Sequence, residues 1–581
     1  MNAEPAKAWL AFTPSLRFVG GFQFLEPPMI RIALFAAAAA LIATQVQAQD
    51  SGAIDPARLS AVVKTMASDE FEGRSPGSPG EAKTIEYLTA QFKALGLEPA
   101  GDKGGYTQDV PLVRTQVKDG ASFGLKLAGG ARALDRGKDI SASTLRPVDR
   151  VEIKDAPLVF VGYGVSAPER GWDDYKGVDL KGKVAVFLIN DPDFEAGAGE
   201  PVAGKFGGQA ATYYARWTYK YEEAARRGAI GALIVHEAPG AGYGWSTVIA
   251  SNGEAFDIVR ADPAKEKVLL QGWLTREVSA ELFKSAGLDL EALKLQARRA
   301  DFKPVPLKGA SFSASYGLDH VQVVSRNVIG KITGASRPAE SVMFAAHWDA
   351  YGIGAPDAQG RTIRPGALDD AVGVAGTMEI ARAFKAGPPT ARTLVFAAWT
   401  AEERGLLGSE YYGVHPTVPL ETMAANLTMD VLQPKGPARD VVLIGAGQNE
   451  LEPMLAQAAK GQGRTVTPDA HPERALFYRA DHFSLARKGV PVLLLMGLGG
   501  GADLVDGGRA AGEAWVSEYT AGCYHKQCDA WSADWDLRGA AQDVALLYEM
   551  GVKLAAPGVW PGWNAASEFK PIRDASAGAR K

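Results

Sequence analysis

Five short apolar runs in the second half of the chain limit what it can become: 327–332, 342–346, 393–399, 441–444 and 492–496. Runs this short and continuous read as strands buried on both faces. Helical patterns lie between them, notably over 372–384 and 451–460. Apolar strands alternating with helices predict an α/β domain whose sheet is covered on both sides.

At 581 residues the chain exceeds one ordinary core, so two or three domains are expected. A helical stripe of Ile85, Leu88, Phe92 and Leu95 follows a turn-rich lead-in over 73–80. Residues 101–150 read as a few strands and loops. A different pattern occupies 151–304, with strands over 158–165, 183–189 and 230–235 and a helix over 219–227. It carries no catalytic cluster and reads as a domain inserted into the main one, which then spans 49–150 and 305–565. The polar stretch 566–581 is expected to be loose. The net charge of −5 is mixed in sign, and no basic block favours nucleic acid.

Arg31, an apolar run over 32–41, and Val46 and Ala48 ahead of Gln49 make residues 1–48 an export signal. Met29 is an alternative start, which would make 1–28 an extension. The run is shorter than the ~20 residues of a membrane span, so stable insertion is not expected. The mature chain is expected in the periplasm or outside the cell.

Charged residues cluster where the strands end. His347-Trp348-Asp349 follows 342–346, Glu402-Glu403 follows 393–399, and Asp430 follows 426–429. Asp369-Asp370 precedes the helical pattern at 372. In open α/β sheets ligands bind beyond the carboxyl ends of the strands, so these residues are predicted to share one crevice. Clustered carboxylates repel unless protonated or interleaved with cations. Histidine with carboxylates suits zinc, and this cluster has donors enough for two ions. Adjacent side chains of an extended segment point to opposite sides, so Glu402 and Glu403 should serve different tasks. Taken singly, a Glu-Glu pair is more often a solvated surface pair, and Asp369-Asp370 a helix cap.

The ordered set His347-x-Asp349, Gly366-Ala367-Leu368-Asp369-Asp370-Ala371-Val372-Gly373, Glu402-Glu403, Asp430 and Tyr524-His525-x-x-x-Asp529 resembles the di-zinc exopeptidases, the bacterial zinc aminopeptidases and glutamate carboxypeptidase II. The resemblance covers roughly 60–100 and 325–535. It implies a mixed sheet sandwiched by helices, and two zinc ions per chain. It implies that Asp369 bridges the ions, with His347 and Asp430 on one and Glu403 and His525 on the other. Glu402 would be the general base, and Tyr524 would stabilise the oxyanion. Asp349 and Asp370 would support the ligands, with a cis peptide between Asp369 and Asp370. The segment Phe477-Tyr478-Arg479-Ala480-Asp481-His482-Phe483 resembles a family motif lining the substrate pocket, with Ala480 in place of the usual serine. The inserted stretch resembles a protease-associated domain through Phe160–Gly164 and Asp174-Tyr175-x-Gly177-x-Asp179-Leu180-x-Gly182-Lys183. Cys523 and Cys528, the two cysteines present, flank Tyr524-His525 and are expected to form a disulfide outside the cytoplasm. His236, His320, His415 and His471 read as ordinary surface or core histidines.

The expected activity is hydrolysis of peptide bonds from a chain end by a metal-activated water, with an aminopeptidase favoured. A carboxypeptidase would need cations for the substrate carboxylate, and Arg361, Arg364 and Arg479 are candidates. A receptor-like relative without ligands is disfavoured because every ligand position is filled. A single-zinc cyclase is disfavoured because Asp369, Glu402 and Glu403 are all present. Oligomeric state is not legible.

Overall fold

The computed structural model describes residues 54–580, so the export signal assigned to 1–48 lies outside the described residues. Among the described residues no helix is long and apolar enough to cross a membrane.

The structure is α/β, with a mixed sheet flanked by helices. Its catalytic half runs in the order Val492–Met496, Met423–Asp430, Arg337–His347, Arg392–Trp399 and the end of the long strand Val305–Ile332. The first four are mutually parallel and the long strand is antiparallel to its neighbour. Alternation decides which face each side chain covers. Val342, Phe344 and Ala346 enter one core with the helices Pro56–Met66, Pro79–Ala94, Val372–Ala386 and Arg538–Leu554, while Met343 and Ala345 enter the core on the other face. Parallel strands with both faces covered leave their carboxyl ends as the open edge, and His347 and Asp430 are the last residues of two of them.

The long strand joins two layers. Its last residues pair with Arg392–Trp399, its middle with Thr107–Val117, and its beginning with Arg150–Phe160 and Ser122–Leu127. Beyond Arg150–Phe160 the sheet continues through Val184–Leu188, Gly231–Val235 and Leu270–Leu274 as parallel neighbours. This second layer has its own apolar core, which draws on residues from Val117 to Leu318. Ion pairs join the layers: Arg487 to Glu222 at 3.0 Å and Arg260 to Glu410 at 2.9 Å.

Two expectations need correcting. The run 441–444 does not enter the main sheet: Asp440–Leu443 pairs with Thr465–Pro468 in a separate two-stranded sheet. An apolar run signals burial but not its partner: Val441 and Leu443 enter the core that holds the four helices, and Val442 and Ile444 the core on the other face. The stretch 566–581 is also packed rather than loose over its described residues. Phe569 is buried against Trp563 at 4.8 Å, and Arg573 donates to the Met423 carbonyl at 3.0 Å. Glu568 accepts from the Tyr478 hydroxyl at 3.2 Å. The polar composition concealed one anchoring aromatic and one buried arginine. Deleting 566–581 exposes the seat of Phe569, and loss of one buried Phe costs about 3–5 kcal/mol. Urea titration should show the truncated chain destabilised by at least that amount, and an unchanged midpoint would contradict the packing.

Candidate metal centre

His347, Glu402 and Asp430 arrive from three neighbouring strand ends, and Asp369 from the turn entering helix Val372–Ala386. That turn, Ala367–Ala371, is π-helical and its Asp369–Asp370 peptide is cis. His525 comes from the loop after helix Gly508–Gly522 and has φ of 63°. Cys523 and Cys528 are bonded around it, with Cα atoms 5.0 Å apart.

These side chains gather into two groups that share one residue. Donor atoms of His347, Asp369 and Asp430 lie within 4.8 Å of one another, and so do those of Asp369, Glu403 and His525. Asp369 Oδ1 lies 3.1 Å from His347 Nε2, and its Oδ2 lies 3.2 Å from His525 Nε2. Glu403 Oε2 is also 3.2 Å from His525 Nε2. Yet Asp369 Oδ2 and His525 Nε2 are buried without a hydrogen bond. Lone pairs that converge at this distance without pairing are directed at a common centre. The donor set of imidazole and carboxylate fits a borderline cation such as zinc.

The electrostatics agree. Burial, with Asp430 adding to it, pushes the Glu402 carboxyl well above its ordinary range, and burial with Asp369 does the same to Glu403. Asp370 and Asp430 are also raised, chiefly by burial. His347 is held well above its ordinary value although burial opposes it, because Glu402 and the other carboxylates face it. Burial opposes ionisation of Asp369 too, but the facing imidazoles of His347 and His525 hold it below the ordinary range. A site with this many acids holds protons unless cations replace them.

The supporting contacts differ in detail from the predicted ones. His347 Nδ1 meets the Asp349 backbone oxygen at 3.1 Å, with Asp349 Oδ1 at 3.6 Å. The Asp349 carboxylate accepts the Glu402 backbone N–H at 3.0 Å and so fixes the glutamate turn. Asp370 accepts N–H groups from Gly373 at 2.9 Å and from His347 and Val431 at 3.3 Å, tying the helix start to two strand ends. Gly373 is required here, since a Cβ would collide with the Asp370 carboxylate. Glu402 lies toward His347 and Glu403 toward His525, as argued from alternation, but the chain there is a turn. Ala401 has φ of 53°, and the Glu402 carbonyl accepts from Gly405 and Leu406. The Tyr524 ring lies 3.6 Å from that of His525.

Two residues without an assigned role hold the Asp369 turn. Asp529 accepts the Leu368 N–H at 3.0 Å and the Asp369 N–H at 3.2 Å. Arg74, fully buried, donates to the carbonyls of Trp348, Met66, Pro365 and Gly366 at 2.6, 2.8, 2.5 and 2.7 Å. It links the His347 strand end to the turn carrying Asp369. The Asp529 spacing in the motif was a visible signal; Arg74 offered none beyond a Gly-Arg pair in a turn-rich stretch.

Residues 327–548 match the family model for peptidase family M28. Over that stretch the chain is similar to the M28 peptidases. The match contains every member of the cluster from His347 to His525, whereas Arg74 and the second layer lie outside it. Within the relatives, a probable zinc metalloprotease of Pyrenophora teres f. teres (strain 0-1) is 34% identical over 105 residues, 18% of this chain and 22% of its own. A glutamate carboxypeptidase 2 homolog of Caenorhabditis briggsae is 30% identical over 150 residues, 24% of this chain and 18% of its own. The chain thus matches about a fifth of the length of these curated relatives. An aminopeptidase structure from Aneurinibacillus sp. strain AM-1 aligns over 88% of this chain and 96% of its own, at 19% identity and a TM-score of 0.47, too loose a likeness to argue from.

Asp481, within the matched stretch, lies in the field of His347 and Asp430, and His482 follows it, packed against Phe477. Burial raises Asp481 to about 7 and lowers His482 from 6.5 to about 3. An unfolded imidazole protonates below 6.5 while the folded one stays neutral, so stability is full above 6.5 and drains as pH falls toward 3. By pH ~4.5 this amounts to about 2–3 kcal/mol. His482→Leu should flatten that part of the acid slope by a similar amount, and an identical slope would show that His482 is not the buried neutral base. Arg74→Met removes a donor from four carbonyls, of which Gly366 keeps the Ala371 N–H, at about 1–3 kcal/mol for each carbonyl left unpaired before relaxation. A loss of several kcal/mol in urea titration is expected; a loss below about 1 kcal/mol would contradict the clamp.

Proposed function

We propose that this chain is an exported zinc metallo-exopeptidase, working in the periplasm or outside the cell on peptide substrates. One observation carries the reading: a single carboxylate, Asp369, turns one oxygen to each of two histidine-carboxylate groups. His347 and Asp430 would hold one zinc ion and Glu403 and His525 the other, with Asp369 between them. Two zinc ions so held supply Lewis-acid polarisation and lower the pKa of an attacking water.

The chain's own residues would do the rest. Glu402 approaches His347 and is tied at its backbone by Asp349, and its carboxylate would take a proton from the attacking water. The same carboxyl then returns that proton to the leaving amine. Tyr524, beside His525, would donate its hydroxyl to the oxygen of the tetrahedral intermediate. Burial holds that phenol well above its ordinary pKa, which keeps the donated proton in place.

The leading reading is an aminopeptidase. A second reading, a carboxypeptidase, is favoured by a specific observation. Arg216 from the second layer and Arg479 from the matched stretch form no ion pair among the described residues, and Arg216 Nε is buried without a hydrogen bond. Their segments are packed together, Ala211 N–H reaching the Pro472 carbonyl at 3.3 Å. Each lies in the field of the other, and Arg216 in that of Glu402. Arg361 is tied to Asp357 at 2.7 Å and is the weaker candidate for a substrate carboxylate. We also read 151–304 as a protease-associated domain that shapes the cleft.

Zinc content and hydrolysis measured on one preparation test the whole reading. Amino-acid p-nitroanilides and peptides blocked at the amino end should separate the two polarities. Glu402→Ala should retain zinc and lose about 10²–10⁴-fold in turnover. Absence of bound zinc, or full turnover in Glu402→Ala, would remove the mechanism.

A further inference from the structure

His525 is the least supported member of the cluster by chain geometry. It belongs to no strand or helix, and its backbone is in the left-handed region. The disulfide constrains the loop, but a main-chain staple does not fix the angle of an imidazole ring. That ring is in contact with two tyrosines: Tyr524 at 3.6 Å and Tyr351 at 4.5 Å between centroids.

Tyr351 is itself held from its other surroundings by cations. The Arg404 guanidinium carbon lies 5.1 Å from the Tyr351 ring centre and that of Arg364 lies 5.6 Å away. Arg404 faces a second ring, Phe256, also at 5.1 Å. Its Nε is buried without a hydrogen bond, its guanidinium reaches Glu254 at 3.6 Å and Ser75 at 3.5 Å, and no shorter polar partner competes with the rings. Guanidinium is the cation best suited to this use, being planar and weakly hydrated. Phe256 lies on Glu254–Ile258, a strand paired to Thr107–Val117 and far outside the M28 match. A column therefore runs from Phe256 through Arg404 and Tyr351 to His525. Arg404 is also the next residue after Glu403, so holding its side chain restrains the turn that presents Glu403.

We propose that Tyr351 and Arg404 are positioning residues for the Asp369–Glu403–His525 metal group, with Phe256 as the outer end of the same support. The proposal rests on the metal reading given above. It makes the affinity of one metal group depend on a residue of the strand Glu254–Ile258 that touches no ligand. The His347–Asp369–Asp430 group takes its ligands from strand ends and the adjoining turn and does not use the column. The two metal groups should therefore respond differently when the column is cut. Outer contacts that orient ligands typically change metal affinity by about 10–100-fold.

The test is a zinc titration of the metal-free full chain in chelator-buffered solutions, counting zinc per chain, with melting of the metal-free protein measured in parallel. Wild type, Tyr351→Leu, Arg404→Lys and Phe256→Leu are compared; the lysine keeps the charge and removes the planar face. Two binding steps are expected in wild type. In the variants one step should hold and the other weaken about 10–100-fold, with little change in the metal-free melt. If both steps are unmoved in Tyr351→Leu and Arg404→Lys, the proposal is wrong. A drop in both steps together with the metal-free melt would reduce the column to general packing and overturn it equally. Weakening in the first two variants with Phe256→Leu at wild type would overturn the link to the strand Glu254–Ile258. A wild type that binds no zinc would remove the metal reading itself, an outcome separate from a wild type and variants that all bind two ions alike.

Discussion

The Asp369 carboxylate is the point on which the rest depends. It is shared between His347 on one side and His525 on the other, at nearly equal distances. To stand there it must leave the turn before helix Val372–Ala386 in one direction only. Asp529 from one side and Arg74 from the other supply that constraint by binding the backbone around it. A buried arginine satisfied by carbonyls keeps its charge uncancelled by a carboxylate. It is thus a fixed cation built into an acidic neighbourhood, and Asp529, Asp349, Asp370 and Asp369 all act on it.

Crowding of acids is the second constraint. Glu402, Glu403, Asp370 and Asp430 are all pushed toward the protonated form, chiefly by burial. Such an arrangement is costly for a protein with no cation to bind and sensible for one that binds two. The structure distributes the remaining acids as supports: Asp349 gives one oxygen and Asp370 both to backbone N–H groups, which fixes turns and strand ends.

The two layers are one sheet only because Val305–Ile332 runs through both. That continuity brings second-layer residues to the rim of the metal centre. Arg216 belongs there, in the field of Glu402, while Phe256, at the end of the column that reaches His525, lies on the strand paired to Thr107–Val117. Ion pairs such as Arg487–Glu222 hold the layers in register where they meet.

The sequence by itself determined the α/β class, the strands that end in His347, Glu402-Glu403 and Asp430, and the candidate ligands, because continuous apolar runs and the charges that end them are local signals. It also showed that Glu402 and Glu403 diverge, although the reason is a tight turn and not an extended strand. What lay beyond it was whatever depends on partners distant in the chain. Arg74 meets carbonyls 274 to 292 positions away, and nothing in its local sequence marks such a contact. The run 441–444 is apolar because its residues are buried in two cores, and composition cannot tell that from burial in the main sheet. Phe569 and Arg573 anchor a stretch whose average composition is that of a tail. The tertiary structure alone decided these, since hydrogen-bond geometry and ring contacts arise only after the strands have set which distant side chains share a space.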